Sequence, residues 1–425
     1  MRMSPQSVVL SLFIIMFVSF GSSLEDTYHL TNYKNHQHFG IINKRAYGST
    51  PSTGPQRMVH VDDYGGKAND GRDDNKAFEK AWDKACSTGG VLVVPKKRVY
   101  HLKPIIFSGP CISNTTFTVH GTIRAWPEMS AYENDTTRWI VFDNVTNLRV
   151  DGGGTFNGNG KKWWDKSCKI NQSLPCKAAP TAVTFRECNN LSVTKLGFRN
   201  PQQMHIRFEK CNNVRASKLI IKAPGHSPNT DGIHVTGSQN VSISTSIIGT
   251  GDDCISIVNG SRNVQAKGII CGPGHGISIG SLGAKNSEAQ VSNVVVNTAT
   301  LRGTTNGVRI KTWQGGSGYA RDIQFMNILM HNVTNPIIID QNYCDQETPC
   351  QEQDSAVQLS NIMYQNIIGT SASEVAIKLE CSKTSPCKGI FLQNVTLRPQ
   401  HRGNPIDATC QNVRYVNRGR FFPQC

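Results

Sequence analysis

Polar turn segments alternate with short β-branched runs along most of the chain, and the alternation repeats with a nearly constant period. The repeat is seen in VTNLRVDG, CNNLSVTK, CNNVRASK, SQNVSIST and SRNVQAKG, whose equivalent asparagines are Asn147, Asn190, Asn213, Asn240 and Asn263. Their spacings are 43, 23, 27 and 23 residues, so the first is near twice the others. Several Val/Ile segments per period, with almost no helical patterning, predict a parallel β-helix whose coils bury inward side chains against one another.

One segment breaks this pattern and predicts a helix. In DDNKAFEKAWDKACSTGG, Asp73 or Asp74 can act as N-cap, Gly89 can end the helix, and the apolar stripe is Ala77, Phe78, Ala81, Trp82 and Ala85. A solenoid needs its open end covered, so we predict that this helix is the N-terminal cap. Because composition does not shift after residue 60 and no long linker interrupts the chain, residues 58–425 are predicted to form one domain.

The N-terminus predicts export. MRMSPQSVVLSLFIIMFVSFGSS has a basic start, an apolar run and small residues at its end, as a secretory signal over residues 1–23 requires. The apolar run is shorter than the roughly 20 residues that span a bilayer, so we expect no membrane association. Residues 24–57 are polar and predict a loose leader or propeptide.

Cysteine and asparagine usage agree with secretion. The 14 cysteines indicate disulfides, although the sequence leaves their pairing open. Close sequential pairs are Cys168 and Cys176, Cys254 and Cys271, Cys344 and Cys350, Cys381 and Cys387, and Cys410 and Cys425. Cys188 and Cys211 occupy equivalent places in successive repeats, as a disulfide or as two buried thiols. Nine Asn-x-Ser/Thr sites are glycosylation candidates: Asn114, Asn134, Asn144, Asn171, Asn190, Asn240, Asn259, Asn332 and Asn394.

The net charge of +15 favours a polyanionic partner. Secretion and the lack of a nucleic-acid-binding module argue against nucleic acid and favour an extracellular acidic polysaccharide. Basicity that serves only solubility or wall retention is the alternative.

Four short motifs fall in register with the structural period. Asp231 of NTDGIHV lies 21 and 22 residues before Asp252 and Asp253 of GDDC, and His275 of GHGISIGS lies 23 and 22 residues after them. Arg309 and Lys311 of RIK follow 34 and 36 residues beyond His275, one coil with an enlarged loop, and point the same way on a strand. Each motif alone is typical of a turn, bend or exposed strand. Together they predict three carboxylates, an imidazole and two cations on one surface.

This combination suits hydrolysis of an acidic glycoside. Glycosidic cleavage needs one protonated carboxylic acid and at least one carboxylate. We expect Asp253 and Asp231 to raise the pKa of Asp252 by like-charge crowding, so that Asp252 keeps its proton. Arg309 can bind a uronate carboxylate bidentately, with Lys311 as a point charge beside it.

The motifs NTDGIHV, GDDC, GHGISIGS and RIK, in this order, resemble the polygalacturonases of glycoside hydrolase family 28. The resemblance extends from about residue 58 to the C-terminus and includes VDDYGGKANDGRDDNKAF and FSGPC, which look like the plant members. It implies an all-β, right-handed, single-stranded parallel β-helix. It also implies hydrolysis of α-1,4 bonds between galacturonates in de-esterified pectin, with inversion and with no metal or other cofactor.

Roles follow from the resemblance, motif by motif. Asp252 is expected to be the general acid, Asp231 and Asp253 to activate water, and His275 to keep the acid protonated. Arg309 and Lys311 are expected to bind substrate together with Tyr343 of IIIDQNYC and with Asn229, which shapes the turn that carries Asp231. We expect a monomer that is secreted to the cell wall and cleaves internally.

Other interpretations stay open at this point. They are exo cleavage, a Ca²⁺-dependent pectate lyase with a similar fold, and a wall protein that binds pectin without catalysis. Trp163 and Trp164 are interpreted as packing at a coil corner rather than stacking on sugars. His226 and His234 are interpreted as structural or surface residues.

Overall fold

Parallel strands wind the chain into a solenoid. The computed structural model describes residues 56–345 and 350–425. The predicted signal peptide lies outside the described residues, as does the leader apart from residues 56 and 57, so the domain boundaries stay a prediction. In the described part, no helix is long and apolar enough to cross a membrane.

The described residues form mostly short strands, with two α-helices and three 3₁₀ turns between them. The strands are β1 Met58–His60, β2 Val91–Val94, β3 Val99–Leu102, β4 Ile105–Ser108, β5 Thr115–Val119, β6 Thr122–Ala125, β7 Arg138–Asp143, β8 Leu148–Asp151, β9 Thr155–Asn157, β10 Thr181–Arg186, β11 Asn189–Thr194, β12 Gly197–Arg199, β13 Ile206–Glu209, β14 Asn212–Ser217, β15 Ile220–Lys222, β16 Ile233–Thr236, β17 Gln239–Gly249, β18 Ile255–Ile257, β19 Arg262–Cys271, β20 Ile277–Leu282, β21 Glu288–Arg302, β22 Asn306–Trp313, β23 Ser317–Val333, β24 Asn335–Tyr343, β25 Gln358–Ser371, β26 Val375–Glu380, β27 Cys387–Pro399, β28 Asp407–Gln411 and β29 Val413–Phe422. The α-helices are α1 Asn75–Thr88 and α2 Lys161–Asp165, and short 3₁₀ turns span Val61–Tyr64, Met129–Tyr132 and Ala284–Asn286.

The strands form the faces of a parallel β-helix. One sheet of 11 strands runs β4, β7, β10, β13, β16, β18, β20, β22, β24, β26 and β28. An 18-stranded sheet supplies the remaining surface. Here β14 and β15 are separate, whereas β17 pairs with both of them and turns the corner at Thr245, which has a φ of 49°. From β4 onwards, each coil contributes one strand to the 11-stranded sheet and the rest of its strands to the other sheet. This arrangement is the predicted all-β fold class.

Equivalent side chains of successive coils stack inside the solenoid. Phe185 lies between Phe142 and Phe208, with ring centroids 5.1 and 5.6 Å away. Ile233, paired with Ile255, and Ile255, paired with Ile277, are fully buried. Since burying one such side chain contributes about 1.5–3 kcal/mol, each coil is stabilised mainly by its neighbours.

An asparagine ladder runs along one edge and confirms the sequence repeat. Asn190 donates its amide to Asn147, and Asn213 donates to Asn190, at 3.0 and 2.6 Å. Asn263 donates to Asn240 at 3.0 Å. These five residues all have φ between 56° and 59°, a left-handed conformation that asparagine tolerates better than most residues.

The predicted helix is present, and its ends differ slightly from expectation. Its six buried residues include all five of the predicted stripe. Asp74 occupies the N-cap position, but its carboxylate binds the backbone N–H groups of Lys67 and His101 instead of capping the helix. Gly89 ends the helix with a φ of 63°. That the helix covers the end of the solenoid stays a prediction.

The cysteines pair as the sequential spacing suggested. Disulfides join Cys168 to Cys176, Cys254 to Cys271, Cys344 to Cys350, Cys381 to Cys387 and Cys410 to Cys425. A sixth disulfide, between Cys86 at the end of α1 and Cys111, was not anticipated. Cys188 and Cys211 are two buried thiols, which decides between the two alternatives.

The ladder predicts a specific cost for Asn213. Asn213→Ala removes an amide hydrogen bond, which contributes about 1 kcal/mol to stability. It also introduces alanine, which tolerates positive φ less well than asparagine, at a further cost of about 1–2 kcal/mol. Asn213→Gly removes only the hydrogen bond, because glycine adopts this φ freely. In urea unfolding we expect Asn213→Ala to be less stable than Asn213→Gly, and the exposed Arg215→Ala to match wild type. Equal stability of the Ala and Gly variants would contradict the backbone argument.

Candidate active site

Three of the predicted residues occupy equivalent positions in successive coils. Asp231, Asp253 and His275 each lie two residues before the first residue of β16, β18 and β20. Those first residues, Ile233, Ile255 and Ile277, pair in register. The polar side chains therefore stack along the sheet with the coil spacing, about 4.8 Å.

A cleft of about 770 Å³ collects the predicted residues. It is lined by all eight of them: Asn229, Asp231, Asp252, Asp253, His275, Arg309, Lys311 and Tyr343. The longer segment between β20 and β22 keeps Ser278 paired with Arg309, and the register shifts only after Ile279. The residues converge as the sequence periods predicted.

Asp253 is buried between two cations. Its Oδ1 accepts hydrogen bonds from Arg309 at 2.9 Å and from the Ser278 hydroxyl at 2.7 Å. Its Oδ2 accepts from Lys311 Nζ at 3.1 Å. The Asp253 side chain is only 2% exposed, so these donors supply what water would otherwise supply to a buried carboxylate.

Asp252 pairs with His275. The Nδ1 of His275 lies 3.0 Å from Asp252 Oδ1, which also accepts the backbone N–H of Asp253 at 2.8 Å. Asn229 donates to Asp252 Oδ2 at 3.4 Å and has a φ of 53°, so it shapes its turn and also contacts the carboxylate. Asp252 has the most exposed side chain of the three aspartates.

The pKa values depart from the sequence expectation. Burial raises the pKa of Asp252, but the hydrogen bond and charge of His275, with the charge of Lys311, outweigh burial, so that its pKa is lowered. Burial and then the charge of Asp252 raise the pKa of Asp231 instead. This direction is opposite to the expectation that crowding raises the pKa of Asp252, because the expectation weighed the carboxylates and left out the charges of His275 and Lys311.

The proton that Asp252 lacks is held next to it. The hydrogen bond to Asp252 raises the pKa of His275. The two shifts favour a pair in which the imidazole holds the shared proton and the carboxylate is ionised.

Asp231 is held by two residues that the sequence analysis did not assign to the site. Ser256 donates to Asp231 Oδ2 at 2.6 Å, and His234 Nδ1 lies 2.8 Å from the Ser256 oxygen. Ser256, His234 and His226 all line the cleft, and the interpretation of the two histidines as structural or surface residues stays a prediction. The signal was the 25-residue interval from Asp231 to Ser256, which recurs from Asp253 to Ser278.

Tyr343 completes one end of the cluster. Its ring packs edge-to-face on Trp313 at 5.3 Å, and Lys311 Nζ lies 5.3 Å from its centroid. Burial raises the pKa of Tyr343 to about 12, so its hydroxyl stays protonated and can donate.

An ion pair joins two segments that line the cleft, and each partner lies next to a disulfide. Lys169, in the Cys168–Cys176 loop, forms an ion pair at 2.7 Å with Asp345, next to the Cys344–Cys350 disulfide. Both side chains are about half exposed, so the pair contributes only about 0.2–1 kcal/mol. It connects the two walls of the cleft without locking them together.

A second cavity of about 510 Å³ adjoins the cleft and shares Pro228 and Asn229 with it. Trp163 lines this cavity and packs on Tyr132. Trp164 is buried and donates to the carbonyl of Pro201. These contacts agree with the packing interpretation, although Trp163 lines this cavity and Trp164 lines a neighbouring one of about 360 Å³.

Known proteins are similar to this chain in sequence and in fold. The family model "Glycosyl hydrolases family 28" matches residues 86–419. "Polygalacturonase QRT2" of Arabidopsis thaliana is 53% identical over 442 residues, covering 100% of both chains. "Polygalacturonase" of Persea americana is 57% identical over 364 residues, covering 85% of this chain and 78% of that one. A solved polygalacturonase from Erwinia carotovora, 23% identical, superposes with a TM-score of 0.69 over 88% of this chain and 99% of that one, which confirms the right-handed parallel β-helix.

The shared proton predicts an unusual titration of His275. We expect NMR of its ring protons to show charge retained above the usual pKa of about 6.5, because ionised Asp252 stabilises the imidazolium. A pKa raised by folding stabilises the protein below the unfolded value, and this contribution disappears as pH rises through the folded value. In Asp252→Asn the pKa of His275 should fall, whereas the exposed Asp83→Asn, on α1, should leave it unchanged. A His275 titration unaffected by Asp252→Asn would contradict the shared proton.

Proposed function

Because the chain belongs to glycosyl hydrolase family 28, we propose that it hydrolyses the α-1,4 bonds between galacturonates in de-esterified pectin. The observation that carries this proposal is the cluster of three carboxylates with Arg309, Lys311 and His275 in one cleft. Two similar proteins that span most of the chain are named polygalacturonases, which supports the same substrate.

Asp252 is the proposed general acid. It is the aspartate with the most accessible side chain, and it is hydrogen-bonded to the imidazole of His275, whose pKa this bond raises. A bound uronate brings negative charge towards Asp252 and excludes water, and both effects raise the pKa of a carboxylic acid. The proton can then pass from His275 to Asp252 and on to the leaving glycosidic oxygen.

Asp231 and Asp253 are proposed to place and activate water, and they contribute differently. Both oxygens of Asp253 already accept hydrogen bonds from cationic side chains, so Asp253 is best suited to orient the cluster. Asp231 accepts a hydrogen bond from the uncharged Ser256 hydroxyl, and its raised pKa suits it to take a proton from water. Family membership supports inversion, which uses carboxyl groups separated by roughly 6.5–9.5 Å.

Arg309 and Lys311 are proposed to bind the substrate carboxylate. Arg309 uses Nε for Ser278 and one terminal nitrogen for Asp253, which leaves further N–H groups for a ligand. Asp253 fixes the direction of both cations, so their side chains are ordered before substrate arrives. Tyr343 and Asn229 are the proposed polar contacts at either side of the cluster.

The charge arrangement disfavours the lyase alternative. Asp252, Asp253 and His275 bring possible metal ligands within 4.8 Å of one another. Ca²⁺ takes six to eight oxygen ligands, however, and here Asp253 lies between Arg309 and Lys311. A divalent cation at this point would lie beside two fixed positive charges. A hydrolytic site accounts for the cations and for His275 together.

We propose that the enzyme is a monomer, is secreted to the cell wall and cleaves internally. The predicted signal peptide and six disulfides support secretion. The adjoining cavity continues the cleft past Asn229, which supports binding of a chain that extends beyond the cleavage point. Exo cleavage is the competing mode.

Loss of the acid should abolish turnover and spare binding. We expect Asp252→Asn to release reducing ends from polygalacturonate about 10²–10⁴-fold more slowly than wild type, since that is the usual contribution of a general acid. Binding of oligogalacturonate, measured by calorimetry, should remain, because Arg309 and Lys311 are untouched. Near wild-type turnover by the variant would favour a different acid. Wild-type activity abolished by a chelator, with unsaturated products, would favour a lyase.

Product sizes distinguish internal from terminal cleavage. During early hydrolysis of polygalacturonate we expect a ladder of oligomers by anion-exchange chromatography, because the cleft continues beyond the carboxylate cluster. Release of monomer alone from the start of the reaction would contradict endo cleavage and favour the exo mode.

A further inference from the structure

A hydroxyl and an imidazole form a chain behind Asp231. The Ser256 oxygen lies 2.6 Å from Asp231 Oδ2 and 2.8 Å from His234 Nδ1. Ser256 is 2% exposed, and His234 Nδ1 is itself 3.9 Å from Asp231 Oδ2. His234, Ser256 and Ser278 pair in register on three successive strands, so the backbone fixes this arrangement.

The number of available hydrogens determines which group donates and which accepts in this series of hydrogen bonds. An ionised carboxylate only accepts hydrogen bonds, so the Ser256 hydroxyl must donate to Asp231. Having used its single hydrogen, the Ser256 oxygen can only accept from His234. His234 must therefore carry a hydrogen on Nδ1 when Asp231 is ionised.

The neighbouring coil repeats the arrangement with one difference. Ser278 donates to Asp253 at 2.7 Å, as Ser256 does to Asp231. The Ser278 oxygen, however, accepts from Arg309 Nε at 3.1 Å, and Arg309 also binds Asp253 directly. Asp253 is thus fixed by permanent cations, whereas Asp231 is fixed through a hydroxyl oriented by an imidazole.

This difference matters for accepting a proton. Among the described residues, the hydrogen bonds to the Asp231 side chain fall on Oδ2, which leaves Oδ1 to the cleft. A carboxylate bound to Arg and Lys resists protonation, because the cations stabilise its charge. A carboxylate oriented by an uncharged hydroxyl, as Asp231 is by Ser256, keeps its orientation and can still take a proton.

We infer that Ser256 and His234 are positioning residues for Asp231 in the hydrolysis proposed above. His234 orients the Ser256 hydroxyl, and the hydroxyl turns the carboxylate so that Oδ1 faces the attacking water. Neither residue touches the reacting atoms. The inference rests on the proposed function, and it assigns two positioning residues to Asp231, the group that takes a proton from water.

The ionisable groups around Asp231 determine the direction in which loss of Ser256 moves the pH profile of hydrolysis. Ionisable groups face Asp231 and His234 from the coils on either side, and they are His205, Arg207, Glu209, Asp252, Asp253 and His275. Burial lowers the pKa of His205 to about 4, so it stays neutral, and Arg207 pairs with Glu209 at 3.3 Å. Loss of the Ser256 donor removes stabilisation of ionised Asp231, so the pKa of Asp231 rises. The acid limb of the pH profile should then move to higher pH.

The test compares variants that keep or remove each hydrogen-bonding group. On polygalacturonate we expect Ser256→Ala to lower kcat about ten- to a hundredfold, with KM within about twofold and the acid limb moved to higher pH. Ser256→Thr, which restores a hydroxyl, should recover much of the rate and the wild-type limb. His234→Asn, whose amide can donate from the position of Nδ1, should stay closer to wild type than His234→Leu.

Controls separate positioning from folding and from the proposed function. Ser242→Ala changes an exposed serine on the opposite sheet of the same coil and should match wild type in rate and pH profile. Wild-type kcat and acid limb in Ser256→Ala would overturn the role of Ser256. Identical profiles for His234→Asn and His234→Leu would overturn the role of His234. Wild-type protein inactive on polygalacturonate would instead overturn the proposed function.

Discussion

In-register pairing of the coils is the constraint on which the site depends. No short segment of this chain contains the whole cluster, because its acids, bases and cations come from four successive coils and Tyr343 comes from the next one. Ile233, Ile255 and Ile277 pair in register, and this pairing alone sets Asp231, Asp253 and His275 one coil apart. A shift of one residue in any of these strands would turn its side chains to the opposite face. The buried aliphatic stack therefore determines the catalytic geometry as well as the stability.

The same spacing creates an electrostatic problem that the site resolves unevenly. Three carboxylates within a few coil spacings repel one another, and burial raises the cost. Asp253 is neutralised by Arg309 and Lys311, Asp252 shares a proton with His275, and Asp231 accepts its hydrogen bond from the hydroxyl of Ser256. Three chemically identical side chains thus acquire different protonation behaviour from their partners, which is what acid–base catalysis requires.

Much of this arrangement was accessible from the sequence, and the remainder has physical reasons. The Asn repeat predicted the coil period, and the period placed Asp231, Asp252, Asp253 and His275 together. Ser256 was missed because a serine in CISI is an ordinary strand residue until its partner is known. The Cys86–Cys111 disulfide joins α1 to the loop between β4 and β5 and follows no repeat. The direction of the Asp252 pKa depends on hydrogen-bond distances of about 3 Å, which spacing along the chain cannot provide.

The asparagine ladder has a consequence for secretory processing. Asn190, Asn240 and Asn394 belong to Asn-x-Ser/Thr sequences, and each uses its side-chain nitrogen to donate to an asparagine of the adjacent coil. An N-linked sugar is attached through that same nitrogen. At these three positions, glycan attachment and the ladder compete for the two hydrogens of one nitrogen, because the sugar replaces one of them and the ladder hydrogen bond needs the other. Asn114 and Asn134, exposed and outside the ladder, face no such competition.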